Sequence, residues 1–356
     1  MNNTLFLAGL SAIIAAFFAW AFRALPDERW QIIATMPEAK TEAGHWHGTN
    51  LTFYGFFMAA GNATAMTILL LLLGAIGVPA ASVFLLAIGL FGLCWPTSRF
   101  IARAVEKKAY TFTIGGASFV GALLTPWLIE LMNAGLGDRL GGRIPVIPAF
   151  AAGAIAYAFG EGIGRLACIS FGCCYGKRID ALSPRLRGLF ERISFTFTGT
   201  TKKAAYEGGL EGVRVVPIQA ITAIVLSGIA IGGAWLFLHS RFTAALVFTA
   251  VATQLWRFAS EMVRADVRGE VRAGGSQRIS AYQAMALLMA AYVILIAAVL
   301  PSPAALTADI STGILALWNP AALLFIQALW LAIFVYTGRS KVTGATLSFF
   351  VHQDRI

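Results

Sequence analysis

The amino-acid sequence predicts an all-α fold, a polytopic integral membrane helical bundle of about nine transmembrane helices around a lipid-binding cavity. Of the 356 residues, 58% are hydrophobic and 12% are charged, and the mean hydropathy is +0.75. Soluble domains carry about 25% charged residues, so this chain has too little polar surface for a water-soluble globule. Apolar runs that approach or exceed the roughly 20 residues needed to cross a bilayer lie at 5–22, 51–77, 79–96, 109–133, 147–171, 216–238, 243–263, 280–300 and 314–337.

Polar segments divide the chain into three parts. Residues 1–50 comprise one transmembrane helix and a polar arm, 51–300 form the membrane core, and 301–356 comprise a last helix and a tail. The core carries a polar cap at 173–215, and two connectors are expected at 99–108 and 265–278. No basic segment precedes the first apolar run, so we expect it to be retained as a helix rather than cleaved as a signal peptide.

The net charge of +10 indicates an affinity for anionic lipid headgroups in a protein of this class, and no nucleic acid partner is expected. The basic residues of the 99–108 connector and the cap leave the orientation open. The positive-inside rule places them in the cytoplasm, whereas a role in holding an anionic lipid is compatible with the outer face. No phosphate-binding GxxxxGK[ST] motif is present, and we expect no cofactor.

Ionisable residues within the apolar runs are the strongest indication of a functional site. Glu161 and Arg165 are one helical turn apart, and Arg257, Glu261 and Arg264 have the spacing of one helix face. A charge at the bilayer centre costs about 2.5–3.5 kcal/mol, so such residues usually face a cavity or a partner. Arginine binds phosphate oxygens through a planar fork. We therefore predict that Arg165 and Arg257 face one shared cavity; the alternative is that these side chains only anchor their helices at the interface.

Cysteine and histidine residues give weaker signals. Cys168, Cys173 and Cys174 lie close in sequence, but no second Cys-x-x-Cys or histidine pair completes a tetrahedral set, so no metal site is expected. His45 and His47 flank a tryptophan in the polar arm. They are expected in the interfacial aromatic belt, with metal binding or titration as the alternatives.

Several short segments occur in an order that is characteristic of one enzyme family. They are Thr-Phe-Tyr-Gly at 52–55, Ser-Arg-Phe at 98–100, Gly-Gly-Ala-Ser-Phe at 115–119, the segment from Gly-Arg-Leu to Gly-Lys at 164–177, Arg-Phe-Ala-Ser-Glu-Met-Val-Arg-Ala-Asp at 257–266, and Ile-Ser with a following Gln at 279–283. This ordered set resembles the bacterial phosphatidylglycerol–prolipoprotein diacylglyceryl transferase family, whose members attach a lipid to lipoprotein precursors. The resemblance extends over roughly residues 50–300.

The resemblance implies an enzyme of the bacterial cytoplasmic membrane whose donor is phosphatidylglycerol or a related anionic phospholipid and whose acceptor is a lipoprotein precursor. It implies a cap on the outer face, with its basic residues near headgroups. It also assigns roles by motif. The expected catalytic residues are Arg165, Arg257 and Glu261, with Glu261 orienting Arg257, and the expected substrate-binding residues are Tyr54, Arg99, Gly116, Ser118, Gly176 and Arg264.

The chain also departs from the family pattern. Val120 occupies the position of the family's histidine, Cys168 that of its asparagine, and only Pro-Ile-Gln at 217–219 remains of a longer motif. The spans at 5–22 and 314–337 exceed the family's usual seven. Two alternatives follow: a transferase that uses the same donor with a different acceptor, or a phospholipid-binding or transport protein without catalysis. If the chemistry persists, either His45 or His47 replaces the missing base or no histidine takes part.

Overall fold

The computed structural model describes residues 2–106, 114–265, 279–303 and 305–356. Nine helices in these ranges are long and apolar enough to cross a membrane, which confirms the predicted multi-pass helical bundle. The helices are α1 (Asn3–Ala24), α2 (Phe53–Ala75), α3 (Ala80–Glu106), α4 (Ile114–Leu136), α5 (Val146–Phe171), α6 (Pro184–Phe190), α7 (Lys203–Tyr206), α8 (Ile218–Leu238), α9 (Phe242–Glu261), α10 (Ala281–Val299), α11 (Ile310–Leu317) and α12 (Pro320–Gly338).

Two predicted boundaries are wrong. The connector expected at 99–108 is helical as far as Glu106, because apolar residues between Arg99 and Arg103 continue the pattern of α3; residues 107 and 108 lie outside the described residues. The run expected from 314 is divided at Asn319, whose side chain accepts a hydrogen bond from the Ala321 amide at 2.9 Å and so caps α12. Of the connector expected at 265–278, the part from 266 onwards also lies outside the described residues.

Helix α5 lies at the centre of the bundle and packs against α2, α8 and α9. Its membrane-spanning part is 72% buried, whereas those of α1 and α12 are 17% and 11% buried and face outward. Small residues permit a close approach of α2 and α5: a Cβ atom on Gly61 of α2 would lie 2.6 Å from the Gly160 carbonyl oxygen of α5. Helices in lipid commonly associate through such small residues.

One membrane face, which we call the cap face, collects the polar segments of the chain. The Lys202 ammonium donates to the carbonyl oxygens of Leu25 (3.0 Å) and Ser170 (2.6 Å), which joins the ends of α1 and α5 to the cap. The predicted cap at 173–215 contains α6, α7 and a pair of two-residue strands, β3 (Phe195–Thr196) and β4 (Arg214–Val215).

At the opposite face, which we call the turn face, the connections are short. The Asn3 amide donates to the Leu238 carbonyl oxygen (3.0 Å), which places the start of α1 beside the end of α8. The Asp309 amide donates to the Ala75 carbonyl oxygen (2.8 Å), so the segment before α11 lies beside the end of α2.

The cap face also carries a β-sheet that the sequence did not predict. Strands β1 (Ile32–Lys40), β2 (Trp46–Thr52) and β5 (Arg339–Leu347) form an antiparallel sheet in the order β1-β2-β5. The polar arm and the tail are therefore paired with each other rather than separate. The Thr52 hydroxyl donates to the Gly338 carbonyl oxygen at 2.9 Å, where β2 leads into α2 and α12 leads into β5.

Candidate functional site

A single buried carboxylate holds both predicted arginines. Glu161 of α5 has a side chain only 2% exposed, and Arg165, one turn later, donates to its Oε1 atom. Arg257 of α9 places its Nη2 atom 2.9 Å from both oxygens of Glu161. The prediction that Arg165 and Arg257 lie together is confirmed. We call Tyr157, Glu161, Arg165 and Arg257 the arginine cluster.

Helical spacing builds this cluster. Tyr157, Glu161 and Arg165 follow one another at intervals of four residues, which aligns them on one face of α5 toward α9. The Tyr157 hydroxyl donates to Glu161 and accepts from Arg257 Nη2 at 2.5 Å. Tyr157 was missed in the sequence, although this recurrence of polar residues within an apolar helix is a signal that identifies it.

The arginine cluster has more cationic groups than its own carboxylate neutralises. Two guanidinium groups share one carboxylate, and the Nε atoms of Arg165 and Arg257 are buried without an acceptor among the described residues. Ser118 of α4 accepts from Arg257 Nη1 at 3.2 Å, which brings α4 to the cluster. Buried donors and charges are normally paired, so the cluster is suited to an anionic ligand.

The expected role of Glu261 is wrong. Helix α9 ends at Glu261, so Arg257, Glu261 and Arg264 do not continue along one helix face. The chain instead turns toward the cap, where Arg264 forms a backbone bridge with Gly176, and its Nη1 atom lies 3.8 Å from Glu261 Oε1. Glu161 therefore takes the position beside Arg257 that was expected for Glu261.

A small pocket lies next to the cluster, with a volume of about 10 Å³. This is space for about one water molecule. Arg165 and Arg264 line this pocket and Arg257 does not, so it is not the cavity that the sequence predicts between Arg165 and Arg257. The remaining lining residues are Cys174, Ile218, Gln219, Thr222 and Ser260.

Of the other predicted substrate-binding residues, Gly116 and Tyr54 lie near the cap-face ends of their helices, whereas Arg99 lies apart from the cluster. Gly116 lies in the first turn of α4, two residues before Ser118, and the Tyr54 ring packs on Phe171 near the cap-face end of α5, with ring centroids 5.5 Å apart. Arg99 is not brought to the cluster. Its exposed guanidinium donates to the Tyr336 hydroxyl between α3 and α12 and lies 4.8 Å from the centroid of the Trp95 ring.

The two histidines of the arm lie on the sheet. His45 Nδ1 is 2.7 Å from the Ser348 hydroxyl, and His47 pairs across β2 with Thr346 of β5. Both are exposed. Val120 of α4 provides no titratable group near Ser118. The structure therefore places no histidine of the arm within the arginine cluster.

Three cysteines meet where α5 ends. Helix α5 stops at Gly172 (φ 73°), and the Cys173 amide donates to the Cys168 carbonyl oxygen at 3.0 Å, which folds the chain back under the last turn. The sulfur atoms of Cys168, Cys173 and Cys174 all lie within 4.8 Å of one another. Hydrogen bonding to Cys168 and Cys174, together with burial, raises the pKa of Cys173 well above its usual value, which favours its thiol form.

Fold and site together define a multi-pass membrane protein with a buried arginine–glutamate cluster near one membrane face. A scan against protein-family models and a search of curated proteins found no match to the chain. The family resemblance described above therefore stays a prediction based on the motifs.

Proposed function

We propose that this protein is a membrane phospholipid-dependent transferase, a divergent relative of the diacylglyceryl transferases, with phosphatidylglycerol or a related anionic phospholipid as donor. The observation that carries the proposal is the shared carboxylate. Glu161 neutralises one of two buried guanidinium groups and leaves the Nε donors of Arg165 and Arg257 to a ligand. A phosphate provides the negative charge and the acceptor oxygens that these groups lack.

The proposed reaction transfers the diacylglyceryl group to an acceptor nucleophile. The nucleophile attacks the glycerol carbon that bears the phosphate, a new bond to that carbon forms, and glycerol phosphate leaves with the electrons of the broken carbon–oxygen bond. Arg165 and Arg257 stabilise the charge that develops on the departing phosphate. Glu161 positions both arginines, while Tyr157 and Ser118 fix the Arg257 fork through hydrogen bonds.

The acceptor side of the site differs from the resembled family. In that family the acceptor is a lipoprotein-precursor cysteine, and a thiol with a pKa near about 8.5 needs help to ionise at neutral pH. Val120 stands where the family has a histidine, so the acceptor either loses its proton to solvent or is of another kind. We propose the bacterial cytoplasmic membrane as the location, with a lipoprotein precursor as the first acceptor to test.

Donor binding requires the site to open. The pocket beside Arg165 has a volume of about 10 Å³, which is smaller than a phospholipid headgroup. Arg264 borders this pocket and belongs to the segment that follows α9, outside the helix. We propose that the headgroup enters when this segment moves away from Gly176, which exposes Arg165.

The test is a mass-spectrometric assay of the purified full-length protein with phosphatidylglycerol and a cysteine-containing lipoprotein-precursor peptide. We expect glycerol phosphate and a diacylglyceryl-modified peptide. Arg257→Lys should reduce the rate by about 100-fold or more, since removal of one transition-state donor typically costs about 2.7–4 kcal/mol. Arg143→Lys is the matched control, because Arg143 pairs with Glu130 in an exposed position. Equal rates for the two variants would contradict the assignment.

A second candidate is a phospholipid-binding protein without catalysis, favoured by Val120, which cannot accept a proton. The same incubation separates the candidates. Native mass spectrometry that finds intact phosphatidylglycerol bound, with less bound to Arg257→Lys and no glycerol phosphate released, would support the binding protein over the transferase.

A further inference from the structure

The three cysteines at the end of α5 have the chemistry and spacing of a metal-ligand set. Their sulfur atoms all lie within 4.8 Å of one another. In tetrahedral zinc sites the Zn–S distance is about 2.3 Å, which places the sulfurs about 3.8 Å apart. Cys173 and Cys174 are only partly buried, so their side chains are less confined by packing than that of Cys168.

A neighbouring side chain offers an oxygen for the fourth position. Gln219, at the start of α8, is 1% exposed, and its amide nitrogen donates to the Cys173 carbonyl oxygen at 2.8 Å. Its Oε1 atom is buried without a hydrogen-bond partner among the described residues. Gln219 and Cys174 line the same small pocket, which has room for about one water molecule. An amide oxygen or a water held by it completes a set of three sulfurs and one oxygen.

The backbone conformation brings the three cysteines together at the end of α5. Gly172 and Cys174 both have positive φ, 73° and 56°. This conformation is uncommon for a residue other than glycine and marks positions where the surroundings impose it. The two turns reverse the chain beneath α5, so that residues 173 and 174 return to Cys168 of the last helical turn.

The geometry points to a site for a thiophilic divalent cation of the zinc class, bound by Cys168, Cys173 and Cys174 with an oxygen ligand from Gln219 or its water. The sequence did not predict this site, because no fourth cysteine or histidine lies near the three cysteines and the fourth ligand here is an oxygen. The site would tie the end of α5 to the start of α8.

The first experiment measures metal content. The full-length protein is purified in detergent under reducing conditions without a metal-affinity tag, and its zinc is determined by inductively coupled plasma mass spectrometry. We expect one zinc per chain in the wild type and in Cys94→Ser, since Cys94 lies on α3, away from this turn. Cys168→Ser and Cys174→Ser should each lose most of the zinc.

The second experiment uses Co²⁺ as a probe of the ligands. Thiolate-bound tetrahedral Co²⁺ gives sulfur-to-metal charge-transfer absorption, which we expect in the wild type and not in Cys174→Ser. Gln219→Leu should retain this absorption and change the visible bands that report the fourth ligand. Cys174 is only partly buried, so its variant remains informative if Cys168→Ser fails to fold.

Three results would overturn the site. The first is a wild-type protein that neither contains zinc nor gives thiolate-bound Co²⁺ absorption, and the second is a cysteine variant that keeps both. The third is a disulfide between two of the three cysteines in the protein purified under reducing conditions. Arg257→Lys should keep its metal. The site therefore stands or falls independently of the proposed transferase activity.

Discussion

Ion pairs near the two membrane faces of this protein differ in burial. Near the cap face, Glu161 is 2% exposed and pairs with two arginines inside the bundle. Near the turn face, Glu130 pairs with Arg143 at 3.3 Å, and its side chain is 51% exposed. Exposed pairs of this kind contribute little to stability, whereas a buried pair is costly to break. Of these two described pairs, the one near the cap face is held inside the bundle and the one near the turn face is in contact with water.

The extramembrane segments show the same asymmetry. The turn-face connectors at 76–79, 137–145, 239–241 and 300–319 contain three basic residues, Arg139, Arg143 and Arg241. The segment 172–217 of the cap face alone contains eight, namely Lys177, Arg178, Arg185, Arg187, Arg192, Lys202, Lys203 and Arg214. By the positive-inside rule this distribution favours a cytoplasmic cap, whereas the family resemblance predicts a cap on the outer face.

Labelling with an impermeant thiol reagent gives the largest expected difference between the faces, because it is all or none. In a background without native cysteines, we expect Thr200→Cys in the cap to label in intact cells. Asp138→Cys at the turn face should label only after permeabilisation. Both positions are exposed, so accessibility within the fold does not limit the reaction. The reverse pattern would contradict the outer-face prediction and follow the positive-inside rule.

Removing a carboxylate at each face is the next largest contrast. Glu161→Gln leaves two buried guanidinium groups without their counter-ion, and we expect a loss of about 3–5 kcal/mol in the free energy of unfolding. Glu130→Gln should cost less than about 1 kcal/mol. Thermal denaturation in detergent measures both. A similar loss of stability for the two variants would mean that the Glu161 carboxylate is solvated after all.

A third prediction concerns the buried lysine that joins the cap to the helix ends. Burial lowers the pKa of Lys202 from its usual 10.5 to about 7, against the opposing effect of Asp27 and Glu28. Between these pH values the unfolded chain binds a proton that the folded chain does not, so stability rises with pH. The slope is at most about 1.4 kcal/mol per pH unit. Below pH 7 both states bind the proton and the full burial penalty remains.

The measurement is the denaturation midpoint of the full-length protein at several pH values from 6 to 10. Lys202→Met should remove the rise seen in the wild type. Lys203→Met is the matched control, since Lys203 pairs with Glu207 at 3.2 Å at the surface of the cap, and it should keep the rise. If the stability of Lys202→Met still rises with pH, the pH dependence belongs to another titratable group.

The smallest effect is expected for the histidines of the sheet. His45 and His47 are exposed, and His45 contacts Ser348 rather than the arginine cluster. In the assay of the proposed transferase activity, the double variant His45→Ala, His47→Ala should therefore match the wild type in rate and pH profile. A fall in rate together with a changed pH profile would instead assign general-base catalysis to one of them.

Hydropathy was sufficient to predict the spans, because the free-energy cost of placing polar groups in lipid depends on the composition of each helix and not on its neighbours. The sheet was not predicted. Strands β2 and β5 are separated by nearly the whole chain, and in this sheet β5 pairs with β2 alone. Short alternating segments in polar regions do not identify such a distant partner, so the arm and the tail were interpreted as loops.

The sequence predicted the two arginines of the cluster but assigned the carboxylate beside Arg257 to Glu261 instead of Glu161. Arg165 and Arg257 were recognisable because arginine is costly in an apolar run. The choice between Glu161 and Glu261 depended on where α9 ends and on which face of α5 meets α9. Both are properties of helix packing. The same holds for Arg99, whose helix carries it to Tyr336 on α12 instead of to the cluster.

The pairing of β5 with β2 also constrains the order in which the molecule is assembled. The β1–β2 hairpin is synthesised before the second helix, yet the strand that completes its sheet follows the last one. While the ribosome makes the intervening residues, the edge of β2 that later pairs with β5 is open. Its unpaired backbone N–H and C=O groups can then form hydrogen bonds with other chains. Closure of the sheet is thus a late event, because β5 reaches β2 only after the nine described spans have been synthesised.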